Sequence, residues 1–165
     1  APHTMNQMRD DGTIKASEPY TKALALYLQK RLNCTCFVKN FDTGIDSNSE
    51  KDEEYKNELI KYIKRNNIKL VLDLHGASLK REFDNLSADY STIKELKEAF
   101  IENGILKVNV NNPFKGGGIT KKVYSETLVD VIQIEINRKY RDLNISNFML
   151  LADALEKFIR SFMEK

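Results

Sequence analysis

The chain has 165 residues, of which 41% are hydrophobic and 30% charged, and these values suit one ordinary globular domain covering residues 1–165. Its 26 basic and 24 acidic residues are interspersed and leave a net charge of +2, which argues against a nucleic-acid partner. The sequence shows neither an apolar run that could span a bilayer nor a signal peptide, so we expect no membrane partner and a cytoplasmic location.

The first predicted element is a strand that ends at Ala-Pro-His3, and its body is expected to lie upstream. A helix follows, with Ser17 as its N-cap, Pro19 in its first turn and an apolar stripe that reaches Leu32. Residues 35–39 then form a short predicted strand.

The later elements continue this alternation. A helix is predicted to start at 49–52 and to end at 66–67, and residues 68–74 form an apolar strand that we expect to be buried on both faces. Residues 76–90 lack periodicity and are predicted to be a loop over the site. The remaining elements are a helix at 91–103 followed by Gly104, a strand at 105–110, a glycine-rich loop at 111–120, a strand at 129–136 and a helix at 145–163.

Alternating strands and helices predict an α/β fold of three layers, in which helices cover both faces of a mostly parallel, mixed sheet. Cys34 and Cys36 are the only cysteines, and a disulfide between residues so close on one strand would be strained. We therefore predict two buried or half-buried free thiols in a reducing cytoplasm.

The only two histidines, His3 and His75, both lie at predicted strand ends. The carboxyl ends of parallel strands face the crevice where open α/β sheets bind ligands. Either histidine alone is most simply an ordinary strand-end residue. Together with one carboxylate, however, they would make the three-ligand zinc site with an open position that is typical of hydrolases.

Glu18 is the preferred third ligand, because it lies in the first turn of the helix that follows the His3 loop. An acid at a helix N-terminus has a simpler alternative explanation, which is its favourable interaction with the helix dipole. Asp10 and Asp11 are competing ligands, although Arg9-Asp-Asp-Gly12 has the pattern of a turn.

Glu135 is the candidate general base, since it lies in the otherwise aliphatic strand Ile132-Gln-Ile-Glu-Ile136. Alternation would place Gln133 and Glu135 on one face of that strand. A carboxylate in such a strand destabilises the fold unless it is paired or lies at the strand's end, and a general base beside a metal meets both conditions. The alternative is an edge strand with one solvated face.

Asp73 would share a face with His75 and could orient its imidazole. Arg138 and its neighbour Arg141 could bind a substrate carboxylate through two hydrogen bonds each, and Arg9 and Arg81 lie in loops on the same side. Solvated surface arginines are an equally good interpretation of these four positions.

Four motifs carry a family resemblance: Ala-Pro-His3, Glu18-Pro-Tyr-Thr21, Asp73-Leu-His75-Gly76 and Gln133-Ile-Glu135-Ile-Asn137. In this order they resemble the N-formylglutamate amidohydrolase-like proteins over nearly the whole chain. More distantly they are similar to zinc-dependent N-acetylmuramoyl-L-alanine amidases, in which a His, a Glu on the following helix and a later strand-end His bind zinc.

The resemblance implies that His3, Glu18 and His75 bind zinc and that Glu135 acts as general base and acid. It also implies the phosphorylase/hydrolase-like fold of zinc exopeptidases. The chain departs from zinc carboxypeptidases, which have a His-x-x-Glu pair, because Asn6 stands at the third position after His3.

The leading hypothesis is a zinc hydrolase that cleaves an amide C–N bond of a small substrate carrying a carboxylate. That substrate would be an N-acyl amino acid such as N-formylglutamate, or a small peptide-like molecule. One rival is a non-catalytic domain of the same fold that binds a small anionic ligand. The other rival is a peptidoglycan amidase, which would cleave N-acetylmuramoyl-L-alanine.

Overall fold

A computed structural model describes residues 1–40, 44–49, 53–87, 92–142 and 144–165. The strands in chain order are β1 (Gln7–Met8), β2 (Ile14–Lys15), β3 (Leu70–Ala77), β4 (Asp84–Ser87), β5 (Val108–Val110) and β6 (Asp130–Asn137). The helices are α1 (Thr21–Leu32), α2 (Glu53–Asn66), α3 (Thr92–Glu102), α4 (Gly118–Thr127) and α5 (Ile145–Met163), with a 3-10 turn at Arg138–Tyr140.

The central sheet has the strand order β3–β6–β4–β5, and β1 and β2 form a separate short hairpin. β6 runs parallel to β3, and β5 runs parallel to β4. The two halves are joined by the antiparallel pairing of β4 with β6. The sheet is therefore mixed with mostly parallel pairings, as the alternation of elements predicts.

Helices cover both faces of this sheet. Ile132, Ile134 and Ile136 of β6 are fully buried in a core that contains apolar side chains of α1, α3 and α5. On the opposite face, Val71 and Val131 pack with side chains of α2 and α4. Successive side chains of a strand point to opposite faces, so alternate residues of each central strand enter the two cores. The presence of a helix-covered core on each face confirms the three-layer α/β fold.

Helix α5 occupies the predicted residues and packs its apolar stripe into the larger core. The side chain of Asn144 accepts a hydrogen bond from the main-chain nitrogen of Asn147 at 3.2 Å and caps the helix. Each fully buried side chain of the stripe, such as Leu151 or Leu155, contributes about 1.5–3 kcal/mol to folding.

Helix α1 begins later than the sequence predicts, at Thr21. Tyr20 has a φ of 67°, which interrupts a right-handed helix between Glu18 and Thr21. The N-cap position is occupied by Tyr20, without a side-chain capping hydrogen bond, so the prediction of Ser17 as N-cap is wrong. Glu18 therefore lies in a turn just before the helix rather than in its first turn.

The strand predicted at 35–39 does not form, and this stretch is irregular. A strand needs a hydrogen-bonded neighbour, and none of the described strands pairs with these residues. Cys34 and Cys36 are free thiols. Cys36 is half-buried as predicted, but Cys34 is exposed, so the prediction that it is buried or half-buried is wrong.

The loop predicted at 76–90 is wrong in part, because it contains β4. All four residues of β4 are buried and three are polar, so their sequence lacks the apolar alternation of a strand. Residues 88–90 of that prediction lie outside the described part of the chain.

Helix α4 begins inside the stretch predicted as a glycine-rich loop, at Gly118. Three adjacent glycines conceal its start, although Ile119 and Val123 then bury one apolar face at helical spacing. The starts predicted for α2 at 49–52 and for α3 at Ser91 fall partly or wholly outside the described residues.

Within the described residues, no helix combines the length and apolar character needed to cross a membrane.

Candidate metal site

The candidate site lies where β3 and β6 run side by side. The register of these parallel strands pairs Asp73 with Gln133 and His75 with Glu135. Paired residues on neighbouring strands point to the same face, so all four side chains project toward the layer of α2 and α4. β6 lies between β3 and β4, which excludes the solvated edge-strand interpretation of Glu135.

Three buried side chains converge at the end of β3. His3 Nδ1 lies 3.0 Å from Glu18 Oε1 and 3.1 Å from His75 Nδ1. One ligand atom from each of the three residues can be chosen so that all lie within 4.8 Å of one another. The structure thus brings together the three residues that the sequence and the resemblance propose as metal ligands.

A second carboxylate lies behind each imidazole. Asp46 Oδ1 is 2.8 Å from His3 Nε2, and Asp73 Oδ2 is 3.0 Å from His75 Nε2. A carboxylate accepts hydrogen bonds, so each Nε2 carries a proton and donates it. In the neutral tautomer that these partners select, both Nδ1 atoms turn their lone pairs toward Glu18.

This donor set requires a cation. Two Nδ1 lone pairs and a carboxylate facing one another would repel without either a proton on one imidazole or a metal ion between them. Two imidazole nitrogens and one carboxylate oxygen are ligands of catalytic zinc, and carboxylates held on the far imidazole nitrogens are a recurrent feature of such sites. The residues present therefore fit a zinc ion.

In the absence of a metal ion, a proton on His75 supplies the positive charge in the cluster. Burial by itself lowers the pKa of His75, but the carboxylates of Asp73 and Glu18 outweigh burial and raise that pKa to about 10. Burial opposes ionisation of Glu18, yet hydrogen bonds from His3 and His75 hold its pKa well below the usual range. Without metal, the cluster therefore holds an imidazolium beside a carboxylate at neutral pH.

The main chain and a lysine fix Glu18 in place. Its Oε2 accepts a hydrogen bond from the main-chain nitrogen of Gly76 at 2.9 Å, and its own main-chain nitrogen donates to the His3 carbonyl. Lys15 Nζ lies 2.6 Å from Oε1 on the more exposed side. Glu18 is thus held from three directions although it lies outside a helix.

Glu135 is half-buried beside this cluster and is oriented by Gln133. The side-chain nitrogen of Gln133 donates to Glu135 Oε1 at 2.8 Å, and its oxygen accepts from the main-chain nitrogen of Gly117 at the start of α4. Within the described residues, the second carboxylate oxygen of Glu135 has no hydrogen-bond partner. It is therefore available to accept a proton.

The four arginines have different surroundings. Arg9 and Arg138 line a cavity of about 530 Å³ that also includes Lys15, Glu18 and Gly76. Arg81 is not among the residues lining this cavity, and its guanidinium instead lies 4.6 Å above the ring of Phe114.

Arg141 is buried and donates to three main-chain carbonyls, those of Pro19, Ala77 and Ile136. These bonds support the loops around the site, and Arg141 also lines the cavity that Arg9 and Arg138 line. Binding of substrate by Arg9, Arg81, Arg138 and Arg141 stays a prediction.

Asp46 and Lys15 are the site residues that the sequence interpretation missed. Asp46 lies in Gly44-Ile45-Asp46, far from the motifs and without periodicity, so no sequence signal points to it. Asp11, by contrast, accepts two hydrogen bonds from Thr13 and is exposed, which confirms it as a turn residue.

No protein-family model and no curated protein matches the chain. Three solved structures have a similar fold. The first is the catalytic domain of CwlV, an N-acetylmuramoyl-L-alanine amidase from Bacillus (Paenibacillus) polymyxa var. colistinus, with a TM-score of 0.58 at 14% identity over 91% of this chain and 87% of that one.

The second is the catalytic domain of the CD27L endolysin, which targets Clostridia difficile, with a TM-score of 0.54 at 10% identity over 94% of this chain and 93% of that one. The third is the N-acetylmuramoyl-L-alanine amidase AmiC2 of Nostoc punctiforme, with a TM-score of 0.52 at 13% identity over 99% and 95%. At these identities the similarity shows the fold alone. The chain thus shares its fold with two N-acetylmuramoyl-L-alanine amidases and an endolysin catalytic domain, and none of the three is an N-formylglutamate amidohydrolase.

Proposed function

We propose that the protein is a metal-dependent amidase that hydrolyses an amide C–N bond. The cluster of His3, Glu18 and His75 carries this proposal, because two imidazole nitrogens and a carboxylate oxygen converge on one point where they could hold a metal ion. Glu135 lies on the neighbouring strand in register with His75, where a base for a hydrolytic reaction is needed.

His3, Glu18 and His75 would hold the zinc ion. When bound, zinc supplies a Lewis acid that polarises the amide carbonyl and lowers the pKa of the attacking water to about 7. Asp46 and Asp73 keep both imidazoles in the tautomer that presents Nδ1, and the main-chain nitrogen of Gly76 fixes the Glu18 carboxylate.

Glu135 would act first as a base and then as an acid. Its unpartnered carboxylate oxygen accepts the proton of the attacking water, and the same oxygen returns that proton to the departing amine. The hydrogen bond from Gln133 fixes the other oxygen, so the carboxylate keeps one orientation through both transfers.

The proposed substrate is an amide of the N-acetylmuramoyl-L-alanine type, in which a lactyl carbonyl is bonded to the amine of a peptide. The similarity in fold to two N-acetylmuramoyl-L-alanine amidases supports this choice. The cavity beside Glu18 supports it too, because Arg9 and Arg138 offer guanidinium groups to a carboxylate of the peptide.

An N-acyl amino acid such as N-formylglutamate is the second candidate substrate. The four sequence motifs favour it, and the same two arginines suit its carboxylates. A non-catalytic domain would bind such anions without turnover, so activity separates this rival from both amidases.

The test is incubation of zinc-loaded protein with N-acetylmuramoyl-L-alanyl peptide and, separately, with N-formylglutamate, with detection of the released amine by mass spectrometry. We expect release from the muramoyl peptide and none from the Glu135→Gln variant. Release from N-formylglutamate alone would favour the second substrate. Tight binding of either compound without release by the wild-type protein would contradict the amidase proposal.

A further inference from the structure

Lys15 contacts a proposed metal ligand directly, and the amidase proposal gives it no part in the reaction. Its Nζ lies 2.6 Å from Glu18 Oε1, and its side chain is 22% exposed whereas that of Glu18 is 4% exposed. Among the described residues, Glu18 is the only acid that forms an ion pair with Lys15. The carboxylate of this pair is therefore buried at the site, while the ammonium reaches toward solvent.

The backbone of Lys15 is held by the hairpin of β1 and β2. Lys15 is the register partner of Gln7, whose side-chain oxygen accepts a hydrogen bond from the main-chain nitrogen of Ser47. The main-chain nitrogen of Asp46 donates to the Met8 carbonyl at 2.7 Å. The hairpin is thus attached to the loop that carries one of the carboxylates behind the imidazoles, so movement of Lys15 is confined to its side chain.

The cavity of about 530 Å³ beside Glu18 has a positively charged lining. Among the described residues that line it, five are basic and Glu18 alone is acidic. The basic residues are Arg9, Lys15, Lys80, Arg138 and Arg141. Arg138 also lies 3.8 Å from the carboxylate of Asp142. A cavity with this balance of charge attracts anions, and Glu18 is the carboxylate that reduces its positive charge from within.

A metal ion in the cluster of His3, Glu18 and His75 would compete with Lys15 for the Glu18 carboxylate. Oε1, the oxygen that Lys15 contacts, also lies 3.0 Å from His3 Nδ1, while Oε2 accepts the hydrogen bond from the main-chain nitrogen of Gly76. Two cations beside one carboxylate repel each other. Metal binding therefore takes the negative charge that neutralises Lys15 and leaves its ammonium in the cavity among other cations.

We propose that Lys15 binds a carboxylate of the substrate when the metal site is occupied, and that it selects amides whose leaving amine carries this carboxylate on the carbon bonded to its nitrogen. This inference rests on the proposed function, because it names the part of the substrate that lies beside the metal cluster. Since Lys15 contacts a residue of that cluster, a carboxylate paired with it lies close to the scissile amide. In an N-acyl amino acid, the nearest carboxylate is the one on that carbon.

The requirement separates short substrates from long ones. N-acetylmuramoyl-L-alanine meets it, whereas in a longer peptide the alanine carboxylate is consumed in an amide bond. N-formylglutamate meets it as well. The contact of Lys15 with Glu18 therefore favours short N-acyl amino acids over extended peptides, whichever acyl group the site accepts.

The first measurement is zinc affinity, by competition with a fluorescent chelator. Lys15→Met keeps the length of the side chain and removes its charge, so this variant should bind zinc about 10-fold more tightly than the wild-type protein. Lys80→Met removes a cation from the same cavity, but Lys80 forms no ion pair with Glu18 among the described residues, so zinc affinity should change less than about twofold. Equal zinc affinities for Lys15→Met and the wild-type protein would overturn the proposal.

The second measurement is calorimetric binding of two matched compounds to zinc-loaded Glu135→Gln protein, which should not hydrolyse them. The compounds are N-acetylmuramoyl-L-alanine and N-acetylmuramoyl-L-alaninamide, which differ only in the carboxylate. The acid should bind at least about 10-fold more tightly than the carboxamide. Adding Lys15→Met should remove most of this preference, and Lys15→Arg should keep it. In the metal-free protein the preference should be smaller, because Glu18 neutralises Lys15.

The two proposals fail in different ways. Equal binding of the acid and the carboxamide, binding of neither at millimolar concentration, or a preference that Lys15→Met leaves unchanged would overturn the assignment of Lys15, even if the wild-type protein hydrolyses amides. A preference for the acid that depends on Lys15, in a wild-type protein without turnover, would support the carboxylate site and contradict the amidase proposal alone.

Discussion

His75 of β3 and Glu135 of β6 occupy paired positions in the parallel register, so the imidazole and the carboxylate project from the same face of the sheet. The aliphatic residues on either side of Glu135 are fully buried on the opposite face. A shift of one residue would turn Glu135 into that core, so the pairing and the hydrophobic pattern fix the site together.

The first prediction concerns Asp46, whose carboxylate lies 2.8 Å from His3 Nε2. Replacement by Ala should weaken zinc binding about 10- to 100-fold, because the imidazole loses the partner that fixes its tautomer and orientation. Competition with a fluorescent chelator measures this. Asp11→Ala, in an exposed turn, is the control and should bind zinc as the wild-type protein does. Equal affinities for both variants would show that Asp46 has no role in the site.

The second prediction is a pH dependence of zinc binding. Because Asp73 and Glu18 raise the pKa of His75 to about 10 against the effect of burial, its imidazole is protonated in the metal-free protein at neutral pH. Zinc must displace that proton, so the apparent affinity should rise about tenfold per pH unit between roughly pH 6 and 9. Isothermal titration calorimetry in buffers of different ionisation enthalpy counts the released protons. Binding that releases no proton would contradict this account.

The third prediction concerns Asp84, which is buried at the start of β4 and accepts a hydrogen bond from the main-chain nitrogen of Asn137. Burial raises the pKa of Asp84 to about 6 from an ordinary value of 3.8. The protonated form thus favours the folded state, and this contribution is complete below pH 4 and is lost as the pH rises through 6. At pH 8 the buried charge costs roughly 3 kcal/mol.

Asp84→Asn keeps the acceptor and removes the charge, so the variant should be more stable than the wild-type protein at pH 8 and should show a flatter pH profile. Urea unfolding at pH 5 and pH 8 measures both effects. Asp153→Asn, on the exposed side of α5, should leave the profile unchanged. Loss of stability at pH 8 in Asp84→Asn would mean that the charged form is the one the fold requires.

The fourth prediction concerns Gly76, the residue after His75. A Cβ there would lie 2.4 Å from the guanidinium carbon of Arg141. That guanidinium cannot move without breaking its bonds to three carbonyls, so Gly76→Ala should destabilise the fold by about 2–4 kcal/mol.

Gly12→Ala is the control for Gly76→Ala. Within the described residues nothing lies within 4 Å of its added methyl group, and only the φ of 80° opposes it, so a loss of about 1–2 kcal/mol is expected. Urea unfolding compares the two variants. A similar small loss for both would show that Arg141 is free to move.

The sequence predicts well those elements whose patterns arise from burial alone. β3, β6 and α5 are such elements, and their bounds match the structure to within a few residues. β4 is not predicted, because three of its four buried residues are polar and its sequence therefore lacks the apolar alternation of a strand. The stretch at 35–39 has a strand's composition but no partner, since composition cannot report whether a neighbour is present.

The candidate site is predictable where a rare residue type stands at a strand end. His3 and His75 are the only histidines, and strand alternation is sufficient to place Asp73 and Glu135 on the same face as His75. Asp46 depends on a loop path that sequence patterns do not encode, and the role of Arg141 depends on three carbonyls that only the fold brings together.

The central claim is that His3, Glu18 and His75 bind a metal ion, and elemental analysis of the purified protein tests it most directly. The wild-type protein and Glu135→Gln should each contain about one zinc per chain, while His75→Ala and Glu18→Gln should contain almost none. Circular dichroism shows whether each variant is folded. Absence of zinc from folded wild-type protein after zinc is added back, or its full retention in folded His75→Ala and Glu18→Gln, would contradict the account.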